Sequence, residues 1–318
     1  MAKNNNLHSA KRNKRDEFYT QLADIEKELM HYKTFFKGKV VYCNCDDARE
    51  SNFFKYFSMN FEHLGLKKLI STGYKDNGKG VLLTYEGDTN GNRIVDNEEI
   101  VVTELNGDGD FRSEECIEFL KEADVVVTNP PFSLFREYVA QLMEYGKKFL
   151  IIGNGNAITY KEIFPLIKNN ELWLGASKGI GGKFSFIVPD EYDNKYVSIV
   201  NNQRLGQVNN ACWFTNIEHK KRNQPLDLYK KYSSEYPHYD NYNAIESTTA
   251  EIPMDYDGVI GVPITFLDKY CPTQFEIVDI NPHFYTLVEK GLPKPKQLSL
   301  KNVNRKDPYA RILIKRKN

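Results

Sequence analysis

The residues best placed to do chemistry are Asn129-Pro130-Pro131-Phe132, directly behind the apolar run Val125-Val126-Val127-Thr128. Such a run suits a buried parallel strand. A polar residue at the carboxyl end of a parallel strand sits where α/β sheets bind ligands. Two consecutive prolines hold the backbone extended and remove two N–H donors. What remains is a pair of acceptors, the Asn129 amide oxygen and the Pro130 carbonyl, beside the ring of Phe132. An aryl amine such as adenine N6 is a poor nucleophile because its lone pair is delocalised into the ring. Two acceptors that take both of its N–H groups favour a tetrahedral nitrogen whose lone pair faces a methyl donor. Phe132 can stack on the base and hold it in plane. This chemistry requires neither a metal nor a covalent nucleophile. The same tetrapeptide would also serve as a proline-stiffened turn, since Asn-Pro is common turn chemistry.

Two other short segments are of interest. Asp16-Glu17-Phe18-Tyr19-Thr20-Gln21 stands just ahead of a helical pattern, and by itself it reads equally well as a capping segment. Asp108-Gly109-Asp110-Phe111 follows a strand-like run at 100–105. An acid at a strand end can accept from an adenine amino group, and Phe111 can cover its ring. A Gly-Asp pair is also ordinary turn chemistry.

Positioning such groups takes a sheet. Helical spacing at 24–36 puts Ile25, Leu29, Tyr32 and Phe36 on one face. Further helices are expected at 53–63, 113–122, 135–145 and 160–168, and strands at 40–45, 68–72, 100–105, 125–128 and 149–152. Alternation at this spacing predicts a doubly wound sheet. Residues 76–97 are rich in Gly, Asn and Asp and read as an excursion outside the core, with only 81–85 strand-like. From Glu171 onward, runs at 172–174, 184–188 and 211–215 are expected to complete the sheet with antiparallel strands. Residues 224–253 are polar and weakly patterned. The chain has no internal repeat.

Composition narrows the class. The 318 residues suffice for one large α/β domain or a catalytic core with a smaller region. No apolar run is long enough to span a bilayer. The basic, polar residues 1–15 lack the apolar stretch of a secretory signal, so a cytoplasmic protein is expected. Five cysteines without a CxxC pair argue against a disulfide framework or a structural zinc site. Net charge is zero, with 43 basic and 43 acidic residues, but the charge is unevenly spread. Lys11, Arg12, Lys14 and Arg15 cluster near the start, Lys220, Lys221 and Arg222 in the middle. The tail carries Lys294, Lys296, Lys301, Arg305, Lys306, Arg311, Lys315, Arg316 and Lys317 against Asp307. One basic face able to meet phosphates is one reading, solvated tails the other.

Taken together, these motifs resemble the EcoRI-type adenine-specific DNA methyltransferases of type II modification. The resemblance is carried by Leu7-His8-Ser9-Ala10-Lys11, by Val40-Val41-Tyr42-Cys43-Asn44-Cys45-Asp46-Asp47 and by Gly107-Asp108-Gly109-Asp110-Phe111-Arg112-Ser113. Residues 129–140, Phe149-Leu150-Ile151-Ile152-Gly153-Asn154 and Gly261-Val262-Pro263-Ile264-Thr265-Phe266 extend it over nearly the whole chain, with 76–97 the least similar part. It implies Asn129, Pro130, Pro131 and Phe132 as the catalytic set. It implies S-adenosylmethionine as methyl donor, with no metal. Phe18, Tyr19 and Thr20 would contact its methionine end, Asp46, Asp47 and Ser51 would belong to the loop after the first strand, and Asp110 and Phe111 would meet its adenine. Asn129 would lie against both cofactor and substrate. One departure concerns residues 46–53, which contain no glycine where nucleotide-binding loops have several; the family resembled shares this, with proline expected where Ala48 stands. Which of Asp46, Asp47 and Ser51 touches the cofactor stays open, and the ribose ligand is unassigned.

The expected fold is therefore α/β: a Rossmann-like S-adenosylmethionine-dependent methyltransferase, with a mixed, mostly parallel sheet, helices on both faces and a smaller DNA-recognition region. Residues 1–220 are expected to form the cofactor-binding and catalytic domain, and 221–318 a C-terminal region sharing in target recognition. The expected activity is site-specific methylation of adenine N6 in double-stranded DNA after the base is flipped out, as the modification partner of a restriction system. GAATTC is the expected site. A monomer is expected, with no membrane partner; an endonuclease encoded nearby would form no stable complex with it. Two other readings stand beside this one. The tetrapeptide also serves enzymes that methylate protein glutamine or RNA guanine, although those usually have a glycine-containing cofactor loop. A methyltransferase fold can also act as a non-catalytic binding scaffold.

Overall fold

Short β-branched runs flanked by turn residues form strands here, and the longer amphipathic runs form helices. The computed structural model describes residues 19–45, 47–188, 197–200, 203–301 and 310–317. In chain order these form β1 (Tyr19–Thr20), α1 (Leu22–Leu29), β2 (Val40–Cys43), α2 (Asn52–Met59), α3 (Phe61–Leu64), β3 (Lys68–Gly73), β4 (Val81–Tyr85), β5 (Val101–Glu104), α4 (Glu114–Glu122), β6 (Val125–Thr128), α5 (Phe135–Glu144) and β7 (Lys148–Asn154). Then follow α6 (Phe164–Lys168), β8 (Trp173–Leu174), β9 (Lys183–Ile187), β10 (Val197–Val200), β11 (Gln203–Asn209), β12 (Ala211–Thr215), β13 (Ala244–Glu246), β14 (Val259–Pro263), β15 (Phe275–Asn281), α7 (Tyr285–Glu289) and β16 (Arg311–Arg316). Two compact units result: one runs to Gly155 and takes in Gly175–Ile217, while Asn156–Leu174 joins the residues from Glu218 onward.

The first unit's main sheet has the order β5-β4-β3-β2-β6-β7-β12. Its centre is parallel, with β2 between β3 and β6 and β7 beyond β6. Both flanks are antiparallel, β4 on β3, β5 on β4 and β12 on β7. The expectation of a mostly parallel sheet thus holds only for the centre. The physical reason lies in connection length: β3 returns as β4 through residues 74–80, too few for the crossover a parallel neighbour needs. The run 81–85 is accordingly part of the sheet rather than an excursion, with Leu83 and Tyr85 buried.

Alternation along the strands covers both faces. Val41, Val127, Ile152 and Trp213 join Ile25, Leu29, Phe53 and Phe57 in one cluster, and Phe53 meets Trp213 edge-on. The next residue along each strand points the other way: Tyr42 packs on Phe119 of α4 and Phe214 on Phe135 of α5. The run 184–188 departs from expectation. It pairs with β1 and β11 in a separate antiparallel sheet of order β1-β9-β11-β10. Only alternate residues of β9 are fully buried, the pattern of a strand with one covered face.

Helix ends also moved. The pattern at 24–36 is helical only to Leu29 and then tightens into a 3-10 turn at Lys33–Phe35. The pattern at 53–63 breaks at Asn60, whose side-chain amide donates to the Tyr56 carbonyl.

In the second unit β16 lies inside a sheet of order β13-β14-β16-β15, with Ile312, Leu313 and Ile314 buried. The last part of the basic tail, Arg311–Arg316, is therefore an inner strand of that sheet. Arg311 holds Glu246 through its Nε and Nη2 groups at 2.7–3.0 Å, and Lys317 donates to the Pro272 carbonyl. Arg222 is likewise buried, over the Trp173 ring at 3.8 Å and paired with Glu218. Lys11, Arg12, Lys14, Arg15, Arg305 and Lys306 lie outside the described residues. All five cysteines are unbridged thiols. Among the described residues no helix is long and apolar enough to cross a membrane.

Candidate active site

β6 delivers its last buried residue, Thr128, and the chain passes directly into Asn129, which is 8% exposed. Pro130 is buried and Pro131 half-buried. Pro131 is extended at φ −55, ψ 126, and its carbonyl accepts from Leu134 to start a 3-10 turn. No hydrogen bond to the Pro130 carbonyl forms among the described residues. Phe132 is half-buried, packed on its inner side against the cluster that contains Val127 and Ile152.

The other expected site residues come to the same end of the parallel strands. The loop after β2 turns at Cys45, whose φ of 74 is left-handed; this is where a glycine would have been unstrained. Asp47 then folds back, its carboxyl oxygen accepting from Arg49 and its carbonyl from Glu50 and Ser51. Ser51 caps α2, accepting from the Phe53 amide at 3.2 Å. The neighbouring Asn52 side chain donates to the Thr20 carbonyl at 2.7 Å, which ties β1 to this helix end.

The glycines missing from the β2 loop stand opposite it. A Cβ on Gly73, at the end of β3, would lie 2.8 Å from the Ala48 nitrogen. A Cβ on Gly109 would lie 2.4 Å from the Gly73 carbonyl oxygen, and Gly109 also has a φ of +84. Close backbone approach is thus achieved by the neighbouring segments. The Lys75 amide donates to the Asp108 carbonyl at 2.8 Å and fixes the 108–112 loop there.

Asp110 and Phe111 occupy that loop. Phe111 is buried and meets Tyr138 edge-on at 5.0 Å. Asp110 is engaged by Arg112 through Nε at 2.8 Å and through the backbone amide at 2.9 Å. The Arg112 guanidinium holds the Asp110 carboxyl below the usual carboxylate range, against burial, which acts upward. Stability from this pair is therefore fully present above the unfolded carboxylate value of about 4. It is lost as pH falls through the lower folded value. The stability difference between wild type and Arg112→Met should be flat above about pH 5 and shrink on acidification. Carboxyl NMR of Asp110 should show its titration moving upward in the variant. An unmoved titration would mean that Arg112 does not hold the charge.

Phe18 and Asp46 lie outside the described residues. Tyr19, Thr20, Asp47, Ser51, Asp110 and Phe111 are held in segments joined by these contacts, and Asn129, Pro130, Pro131 and Phe132 follow β6, the neighbour of β2 in the sheet. A cleft of about 1080 Å³ runs along α2 between Ile187 and Val102. It meets the expected set only at Tyr19 and Ser51, so it adjoins the strand ends and does not contain Asn129. Asn44, Gly73 and Tyr138 were missed by local pattern, since their roles depend on partners far along the chain.

The residues fit a polar cofactor: the Thr20 hydroxyl is buried without a hydrogen-bond partner among the described residues. Among those residues no group of three or more His, Cys, Asp or Glu side chains is placed to hold a metal. The β4–β5 loop does space Asp88, Asn90, Asn92, Asp96 and Glu99 as calcium loops space their oxygens. Here Asp88 accepts from the loop amides of Gly91 and Arg93, and Glu99 from Thr89.

Comparison with known proteins gives the family. A family described as "Adenine-specific methyltransferase EcoRI" matches residues 6–317. The chain is 50% identical to the type II methyltransferase M.EcoRI of Escherichia coli, over 99% of this chain and 98% of that protein. It is 39% identical to the type II methyltransferase M.MpnI of Mycoplasma pneumoniae and 38% to M.MgeORF184P of Mycoplasma genitalium, each over 98% of both chains.

Proposed function

The chain belongs to the EcoRI family of adenine-specific methyltransferases, and from that membership we propose that it methylates adenine N6 at a specific site in double-stranded DNA. The observation that carries this reading is the placement of Asn129. It is a buried amide followed by a donor-free Pro-Pro step, at the strand end where the β1, β2-loop and 108–112 segments meet. The central parallel strands, covered on both faces, support a Rossmann-like S-adenosylmethionine fold.

S-adenosylmethionine supplies an electrophilic methyl group on a sulfonium. Thr20, Asp47, Ser51, Asp110 and Phe111 are the residues to hold it. Asn129 Oδ1 and the Pro130 carbonyl accept the two N–H groups of adenine N6. Their pull favours a tetrahedral nitrogen and frees its lone pair. The methyl group would leave sulfur as the amine nitrogen takes it, and the positive charge would pass from sulfur to the nitrogen held by Asn129 and Pro130. Loss of one N–H proton to solvent then neutralises the product. Phe132 holds the ring in plane.

The amine is paired and stacked in a duplex, so the base must rotate out, at a cost of a few kcal/mol. A role as modification enzyme of a type II system is supported by the named relatives, with GAATTC as the first site to test. A cytoplasmic monomer with no stable endonuclease complex completes the reading. The experiment combines the chain with labelled S-adenosylmethionine and duplex DNA, RNA or protein. Label is expected in DNA alone, on adenine N6, at one short sequence when methylated adenines are mapped across an expressing host's genome. Label on RNA or protein, or none, would overturn the reading. 2-Aminopurine at the target position should brighten on binding, and a mismatch opposite the adenine should tighten binding. Neither change occurring would show that the base stays stacked.

A further inference from the structure

Asn44 stands between the two halves of the site and takes no part in the chemistry above. It follows β2 directly, is 4% exposed, and opens the loop that leads through Cys45 and Asp47 to the cap of α2. Two hydroxyls reach it from distant elements. Thr128, one residue before Asn129, donates to the Asn44 carbonyl. Tyr138, from α5, donates to the Asn44 side-chain oxygen. Both donors are wholly buried, and the Tyr138 ring also packs on Phe111. One buried amide residue thus joins the β2 loop to the Asn129 strand end, and through Tyr138 to the 108–112 loop.

Pairing of buried hydroxyls is obligatory, but pairing with this residue is not. A buried Thr or Tyr is satisfied by any nearby carbonyl, its own element's included. Both hydroxyls converge instead on the residue before the left-handed turn at Cys45, a conformation that is unfavourable outside glycine. That turn directs the loop expected to carry the methyl donor.

We infer that Asn44 is a positioning residue: held by Thr128 on one side and Tyr138 on the other, it sets the methyl donor at reacting distance from the amine on Asn129. The inference rests on the reading of the site as a methyl-transfer centre. Such transfer tolerates little misplacement, since an error of about 1 Å can cost on the order of a hundredfold in rate.

The test is single-turnover methyl transfer by the full chain to a duplex oligonucleotide at saturating cofactor and DNA. Tyr138→Phe and Thr128→Val each delete one hydroxyl and keep the shape. Each should slow transfer about tenfold, the scale of one buried hydrogen bond, with DNA affinity within about twofold of wild type. Thr128→Ser, which keeps the hydroxyl, should recover most of the rate. Because both hydroxyls act through one residue, the double variant should be slower by clearly less than the product of the singles. Thermal melting of each variant reports the folded fraction. Wild-type rates in both singles, losses that follow the folded fraction alone, a Thr128→Ser variant as slow as Thr128→Val, or strictly multiplicative effects would each overturn the inference. A wild-type chain that transfers no methyl to DNA would instead overturn the reading of the site, and the inference with it.

Discussion

Asn129→Ala is expected to lower single-turnover methyl transfer by at least about a hundredfold while leaving cofactor affinity within a fewfold of wild type. The size follows from where the charge goes. In the ground state the adenine amine is nearly planar, its N–H groups are only modestly polar, and an acceptor gains little from them. As the new bond forms, the nitrogen becomes tetrahedral and takes on positive charge, and the same two hydrogen bonds become charge-assisted. An interaction that strengthens only on the way to the transition state raises the rate rather than the affinity. Removing one such pre-organised partner commonly costs a factor of about 10² to 10³. Asn129 suits this role because it is 8% exposed and sits on the end of a strand paired on both sides. Little reorganisation is needed when charge develops. Asn129→Asp keeps an acceptor oxygen and should retain more activity than alanine. Calorimetric titration of the cofactor separates binding from chemistry. Near-normal turnover in Asn129→Ala would show that the amine is activated elsewhere.

What the sequence displayed of this site was its local part. Asn129-Pro130-Pro131-Phe132 is conspicuous because four consecutive residues and the run before them carry the whole signal. The clamp around Asn44 gave no such sign: its partners lie 84 and 94 residues away, and nothing in an isolated Thr or Tyr shows which carbonyl it will meet. The glycine-free loop after β2 has the same explanation. The freedom it needs is split between a strained Cys45 and the facing glycines 73 and 109, which local pattern assigns to other elements.

The sheet was legible in its elements and less so in its pairings. Residues 81–85 showed a strand-like run, yet the polar residues on either side suggested a detour, because loop composition says nothing about which edge a strand returns to. At the other end, basic residues around Ile312-Leu313-Ile314 suggested a solvated tail. Three consecutive buried apolar residues were the better signal, and Arg311 is neutralised by Glu246 inside the same unit. A charge count treats that arginine as available to phosphate; its pairing shows that it is already used.

The other large effect is expected in stability, from Glu28→Leu. Helical spacing put Ile25, Leu29, Tyr32 and Phe36 on one buried face, and Glu28 of α1 lies among them, wholly buried. Its carboxyl group is an acceptor for main chain that crosses the helix. The Ala176 amide donates to it at 2.7 Å, the Ser177 amide at 2.7 Å and the Tyr32 hydroxyl at 2.8 Å. Gly175 is the residue that lets this crossing come so close, since a Cβ there would lie 2.4 Å from Glu28 Oε1. Leucine would fill the volume and leave two amides and a phenol facing it. Each buried donor left unpaired costs about 1–3 kcal/mol, and this change leaves three of them without the carboxyl group. That is a large part of the 5–15 kcal/mol that holds a typical domain together. Glu28→Gln keeps one acceptor oxygen but turns an NH₂ group toward a main-chain N–H, and should fall between the two. The segment released, 175–178, leads into β9, which pairs with Tyr19 and Thr20. Cofactor affinity should therefore decline in the same order as stability, wild type above Gln above Leu. Urea unfolding in a Trp173→Phe background, where Trp213 alone reports the first unit, measures the midpoint. A midpoint unchanged in Glu28→Leu would mean that the 175–178 crossing is not held by this carboxyl group.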